Sequence, residues 1–131
     1  MATEMDVIAH LMRRAGFGAT RSELTKHVAK GYDATVEELL TTDGQEGIVD
    51  DLLYRYLPDH QGGMGMAGAP GHLLFRMINT KGPLREKMGL FWHSVFATGY
   101  PKVTQGRVLL DQIAMFRDYG MGSFRDLLVR L

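Results

Sequence analysis

Pro83-Leu-Arg-Glu-Lys-Met-Gly-Leu-Phe-Trp-His-Ser-Val-Phe-Ala-Thr98 holds the only Trp of the chain, a His and three charged side chains in one helix-like segment. Gly82 precedes it, and a proline suits the first turn of a helix because the amide it lacks would have no helical partner there. With Leu84 set at zero and about 100° per residue, Leu84, Met88, Phe91, Trp92, Val95 and Phe96 fall on one continuous arc. That arc is expected to be a core face. Trp92 is expected to be an interior anchor, its indole N–H needing an acceptor. His93 lies about 140° from the middle of the arc, one turn from Gly89 and from Ala97. Such small neighbours leave room for a partner helix or a ligand.

Working outward, helix signals recur to both ends. Thr3 caps a helix running to Ala15, with Met5, Ile8, Met12 and Ala15 at three- and four-residue spacing and Gly16 as its stop. Thr20-Arg-Ser-Glu23 is a capping box for a second helix, which carries Leu24 and Val28 and ends at Gly31. Asp33 is expected to open a third, with Val36, Leu39 and Leu40 inward and Asp43-Gly44 as its end. A fourth is expected over residues 46–57, stopping before Pro58. Residues 58–71 have no periodicity and many Gly and Met, and read as a flexible loop. Helices resume at about Pro70 (Leu73, Leu74, Met77, Ile78), over 104–119 and from Ser123. No segment alternates with period two. The fold class is therefore all-α, an irregular bundle of about 7–8 helices in a single domain or partial domain over residues 1–131. The stripe of Leu127, Leu128 and Leu131 is still in progress at the last residue, so the chain reads as the amino-terminal part of a larger helical protein.

Composition excludes several classes. A chain with 45% hydrophobic and 23% charged residues is globular, and no apolar run reaches the ~18 residues of a membrane span. The absence of cysteine rules out disulfides, thiolate metal sites and a thiol nucleophile. The beginning, Met1-Ala-Thr-Glu-Met-Asp6, carries no secretory signal. Net charge is zero but unevenly spread. Residues 1–65 hold six Lys/Arg against eleven Asp/Glu, a balance of −5, and residues 66–131 hold nine against four, or +5. Complementary fields between packed halves account for this; a basic surface for a polyanion is the rival. No Lys/Arg run exceeds two residues, which argues against nucleic acid.

Candidate site residues follow from chemistry and spacing. His93 with Arg85, Glu86 and Asp111 is the one group that could serve a hydrolase. Glu86 and His93 stand seven residues apart, about 10 Å along a helix axis, so they need a bridging group. Asp111 needs a tertiary contact to reach His93; otherwise it pairs with Arg107 on the surface. Arg13 and Arg14 end the first helix, where basic side chains complement its dipole; as forked guanidinium groups they are also anion-binding candidates. His60, Met64, Met66 and His72 could suit Cu(I), but no repeated Met motif supports it. No His pair has zincin spacing, and no phosphate cradle or nucleophile elbow is present, so no metal and no cofactor is expected.

Three blocks, taken in order, resemble a known bacterial family, domain of unknown function 1800. They are His10-Leu-Met-Arg-Arg-Ala-Gly-Phe-Gly-Ala-Thr20, Pro83 to Thr98, and Gln112 to Leu128 with its Gln-x-x-x-Phe-Arg and Gly-x-Phe-Arg-Asp-Leu-Leu elements. Arg13, Arg14, Phe17, Arg85, Glu86, Trp92, His93, Phe96, Phe116, Arg117, Phe124, Arg125 and Asp126 occupy the signature positions. The resemblance implies a parent of several hundred residues and, in many members, export and a neighbouring partner family. It transfers no activity, because the family has none established.

The leading expectation is an accessory helical module acting through protein partners and a carboxyl portion beyond Leu131. A hydrolase-type enzyme around His93 and a polyanion-binding module on the basic half are the alternatives.

Overall fold

Two capping boxes and a one-residue corner set the amino-terminal third. The computed structural model describes residues 2–41, 55, 69–99 and 106–131. Among them are seven helices and no strand, as expected of an all-α chain. They are α1 (Glu4–Ala15), α2 (Arg21–Lys30), α3 (Tyr32–Leu40), α4 (Ala69–Asn79), α5 (Pro83–Val95), α6 (Gly106–Tyr119) and α7 (Phe124–Arg130). The helix expected over 46–57 lies outside the described residues apart from Arg55. So does the loop expected over 58–71, as far as residue 68.

The Thr3 hydroxyl accepts from the Asp6 amide at 3.2 Å, and the Asp6 carboxylate accepts from the Thr3 amide at 2.9 Å. Thr20 and Glu23 repeat the arrangement at the start of α2. In both boxes the backbone and hydroxyl donors hold the carboxyl group below its usual pKa, since they bond the ionised form. The start of α3 differs from expectation. Gly31 closes α2 as expected but also opens α3 in place of Asp33, at φ 93°, a left-handed conformation that disfavours any side chain. Its N–H donates to the carbonyls of His27 and Val28, and the buried Thr35 hydroxyl donates back to the Gly31 carbonyl at 2.8 Å. The corner is thus stitched from behind by Thr35, and Asp33 is left to act on the first-turn dipole. Leu40, expected inward, is 51% exposed.

Ile8, Met12 and Leu39 form the amino-terminal core, with Leu11, Leu24, Val28 and Leu84 packed against it. Leu84 belongs to α5, so α5 closes this layer with its first turn. Its other side meets α6, the most extensive helix–helix contact among the described residues. The contact runs through a glycine: a Cβ on Gly89 would lie 3.5 Å from the Arg117 Cα, so the two backbones approach closely. The expected core arc of α5 is therefore only partly correct. Leu84 and Trp92 are covered, but Phe91 and Val95 are 50% and 52% exposed. The stripe that meets α6 is Arg85, the buried Gly89, Trp92 and Phe96, the last two and Arg85 half-buried. A wheel of apolar residues finds side-chain hydrophobicity and misses a face defined by the lack of a side chain.

On α6, Leu109, Ile113 and Phe116 are buried at four- and three-residue spacing, and Leu127 of α7 is 1% exposed. Phe124, Trp92, Phe96 and Phe116 form a continuous stack, successive centroids 5.6, 5.9 and 5.9 Å apart. The Trp92 indole N–H donates to the Gly120 carbonyl at 2.7 Å, the partner its burial required. Gly120 has no space for a larger residue. A Cβ there would stand 2.6 Å from Trp92 Cδ1 and would also strike the Phe116 carbonyl. Gly120→Ala is expected to lower unfolding free energy by about 2 kcal/mol or more through overpacking, measured by chemical denaturation. Gly122→Ala, whose Cβ would meet only the Tyr119 carbonyl at 3.4 Å, is the mild control.

Candidate functional site

Three consecutive side chains at the start of α5 point to three different places. The Lys87 ammonium donates to the carbonyls of Arg13 and Gly16, both at 2.6 Å, and stands 5.8 Å from the Phe17 ring centroid. It caps the carboxyl end of α1, where carbonyls lack amide partners and the dipole favours a cation. The Arg85 guanidinium donates to the Arg117 carbonyl at 3.2 Å and pairs with Asp118 at 2.5 Å, so it caps α6. Glu86 sits between them, with its carboxylate 3.9 Å from the Arg117 guanidinium.

That last pair is the least satisfied of the three. The Glu86 side chain is 13% exposed and that of Arg117 15%. Their separation exceeds hydrogen-bonding distance. Burial pushes the Glu86 carboxyl above its usual pKa. Arg117, Arg76 and Arg85 oppose that shift, and the nearby Asp118 charge adds to it. Arg76, on α4, is 5% exposed. Desolvation therefore outweighs three neighbouring cations.

His93 lies on the same side of α5 as Glu86, two turns further on. Its Nδ1 is buried and meets no hydrogen-bond partner among the described residues, and the same holds for Gln112 Oε1 on α6. Asp111 is exposed, and no hydrogen bond or ion pair among the described residues involves it. The side chain of Arg107, its expected partner, lies outside the described residues. Arg13 and Arg14 are exposed on the last turn of α1, with the Arg13 carbonyl held by Lys87. Arg85, Glu86 and His93 thus share α5, while the anion candidates of α1 stand apart from them. No group of three acidic or imidazole side chains suited to a metal occurs among the described residues.

Arg117, Arg76 and Gln112 were not singled out as candidates. Gln112 could have been: it is a polar residue between Leu109, Ile113 and Phe116. Arg76 had no comparable signal, because its burial comes from tertiary contact.

The three sequence blocks thus contact one another in space: Lys87 on Arg13 and Gly16, Arg85 on Arg117 and Asp118, Trp92 on Gly120 and Phe124. The family model described as "Protein of unknown function (DUF1800)" matches residues 10–131. The chain belongs to this family. No curated protein and no solved structure matches it. In this DUF1800 chain most signature side chains join one helix to another, among them Arg85, Glu86, Trp92, Phe96, Phe116 and Phe124.

Two outcomes follow for the charged turn of α5. Lys87→Met should cost about 1.5–3 kcal/mol in denaturant unfolding, the range for hydrogen bonds to charged groups, and should increase amide exchange in the last turn of α1. Glu86→Gln tests the buried carboxyl. A raised folded pKa means both forms match below the ordinary carboxylate range. The natural protein then loses stability relative to the variant as pH rises through the folded pKa. Melting temperatures recorded across that window should therefore diverge in favour of Glu86→Gln toward neutral pH.

Proposed function

We propose that this DUF1800 chain is an accessory helical module that works through protein contacts. The observation that carries the reading is an apolar strip beside the aromatic stack. Phe91 meets Trp92 edge-on at 5.0 Å and Phe124 stacks on it at 5.6 Å, yet these two phenylalanines remain 50% and 54% exposed. One turn beyond each, Val95 and Leu128 are 52% and 45% exposed. Half-exposed rings anchored on a fixed indole supply contact area at low ordering cost, the property of interface anchors.

The basic half gives less support to a polyanion reading. Arg85 and Lys87 are committed to helix ends, and Arg76 is buried. Arg130 lies over the Tyr119 ring at 3.9 Å. Among the described residues no helix is long and apolar enough to cross a membrane. A hydrolase-type enzyme is a second reading, favoured by one observation, the unpartnered His93 Nδ1.

The test is a paired substitution, Phe91→Glu with Val95→Glu, compared with the natural chain by sedimentation velocity and by crosslinking in cells. The natural chain is expected to form a defined complex, and the variant to lose it while keeping its helical circular dichroism. A natural chain that stays monomeric and uncrosslinked would overturn the proposal. A complex indifferent to the substitutions would do the same. His93→Gln, assayed on a panel of esters, amides and phosphoesters, separates the second reading: only an enzyme built on His93 would show a turnover that this change removes.

A further inference from the structure

We propose that the Arg117 guanidinium, at the crossing of α5 and α6, is a receptor for a small oxyanion and that the Glu86 carboxyl is its built-in competitor. The inference is independent of the protein-contact reading and uses no residue of the apolar strip.

Arg117 is held mostly out of water, yet its guanidinium makes no hydrogen bond among the described residues. Its two acidic neighbours stand too far away: Glu86 at 3.9 Å from Nη1 and Asp118 at 3.8 Å from Nε. Asp118 is already engaged, at 2.5 Å, by Arg85. A guanidinium with five donors in a rigid fork is complementary to a carboxylate or a phosphate. Asp118 cannot turn to it without giving up Arg85, which caps α6.

Among the described residues the other counter-charge beside Arg117 is Glu86. Burial raises the Glu86 carboxyl above its usual pKa, and its nearer oxygen stands 3.9 Å from Arg117, beyond hydrogen-bonding distance. The groups facing Glu86 are Arg117 and Asp118 from α6, Arg76 from α4 and Arg85 from its own helix. An arriving oxyanion would enter a field dominated by guanidinium groups. A protonated Glu86 would donate to one of its oxygens instead of repelling it. The close approach of the backbones at Gly89 fixes the Arg117 Cα against α5, so the receptor is held by the main chain and not by loop geometry.

The proposal predicts a signature that a purely structural Arg117–Glu86 pair would not give. The full chain, labelled for NMR, is titrated at neutral pH and constant ionic strength with inorganic phosphate and, separately, with acetate. The Arg117 Nε–Hε signal should move in a saturable way with at least one of them. Glu86→Gln should tighten that binding several-fold, because it removes the competing charge while preserving shape. Acetate, which stays ionised from neutral to mildly acidic pH, should bind the natural chain more tightly as pH falls and bind Glu86→Gln with little change. Arg117→Met should abolish the response, and if that variant does not fold, the Glu86→Gln comparison decides. Response to phosphate alone would identify a phosphate or phosphate-ester ligand, and response to acetate a carboxylate. A signal that moves with neither, or an affinity unaltered by Glu86→Gln, would overturn the assignment.

Discussion

The approach of α5 to α6 at Gly89 positions the neighbouring contacts of both helices. Without a side chain there, the two backbones come together, and the residues on either side of the glycine acquire their partners. Arg85, one turn before it, reaches the end of α6; Trp92, nearly one turn after it, reaches Gly120 and Phe124. On its opposite side the same helix supplies Leu84 to the core of α1–α3 and Lys87 to the end of α1. The helix is a shared wall. Each side is joined to it by one apolar contact set and one charged cap.

That arrangement explains the unusual composition of the Pro83–Thr98 stretch. Three adjacent charges, Arg85, Glu86 and Lys87, are improbable in a core helix unless each direction around the axis has its own neighbour. Two of them satisfy carbonyls left over at helix ends, a task that apolar residues cannot perform. The third, Glu86, has no comparable task and carries the raised pKa of a buried acid. An uneven distribution of satisfaction within one turn separates cement from a group able to respond to its surroundings.

Much of this was legible in the sequence and some was not, for definable reasons. The helices, both Thr caps, the anchoring role of Trp92 and the family resemblance rest on local spacing and composition, which the chain displays directly. The placement of Phe91 and Val95 on the surface was not legible, because a hydrophobic wheel cannot tell which of two neighbouring faces a partner helix will cover. The start of α3 at Gly31 instead of Asp33 was hidden for a related reason. A one-residue corner closed by a buried threonine leaves no mark stronger than the Asp33 signal beside it. At the candidate site, His93, Glu86 and Arg85 were visible as chemistry-bearing residues on one helix. The role of Arg117 depends on distances to two carboxylates, which no periodicity encodes.

The single tryptophan also makes the molecule self-reporting. Its indole is sandwiched between two phenyl rings and tethered to a main-chain oxygen at the turn between α6 and α7. Emission from that one chromophore, excited selectively at the red edge, would register the opening of the seam with no dye attached. A red shift would mean that water had reached the indole before the helices themselves had melted.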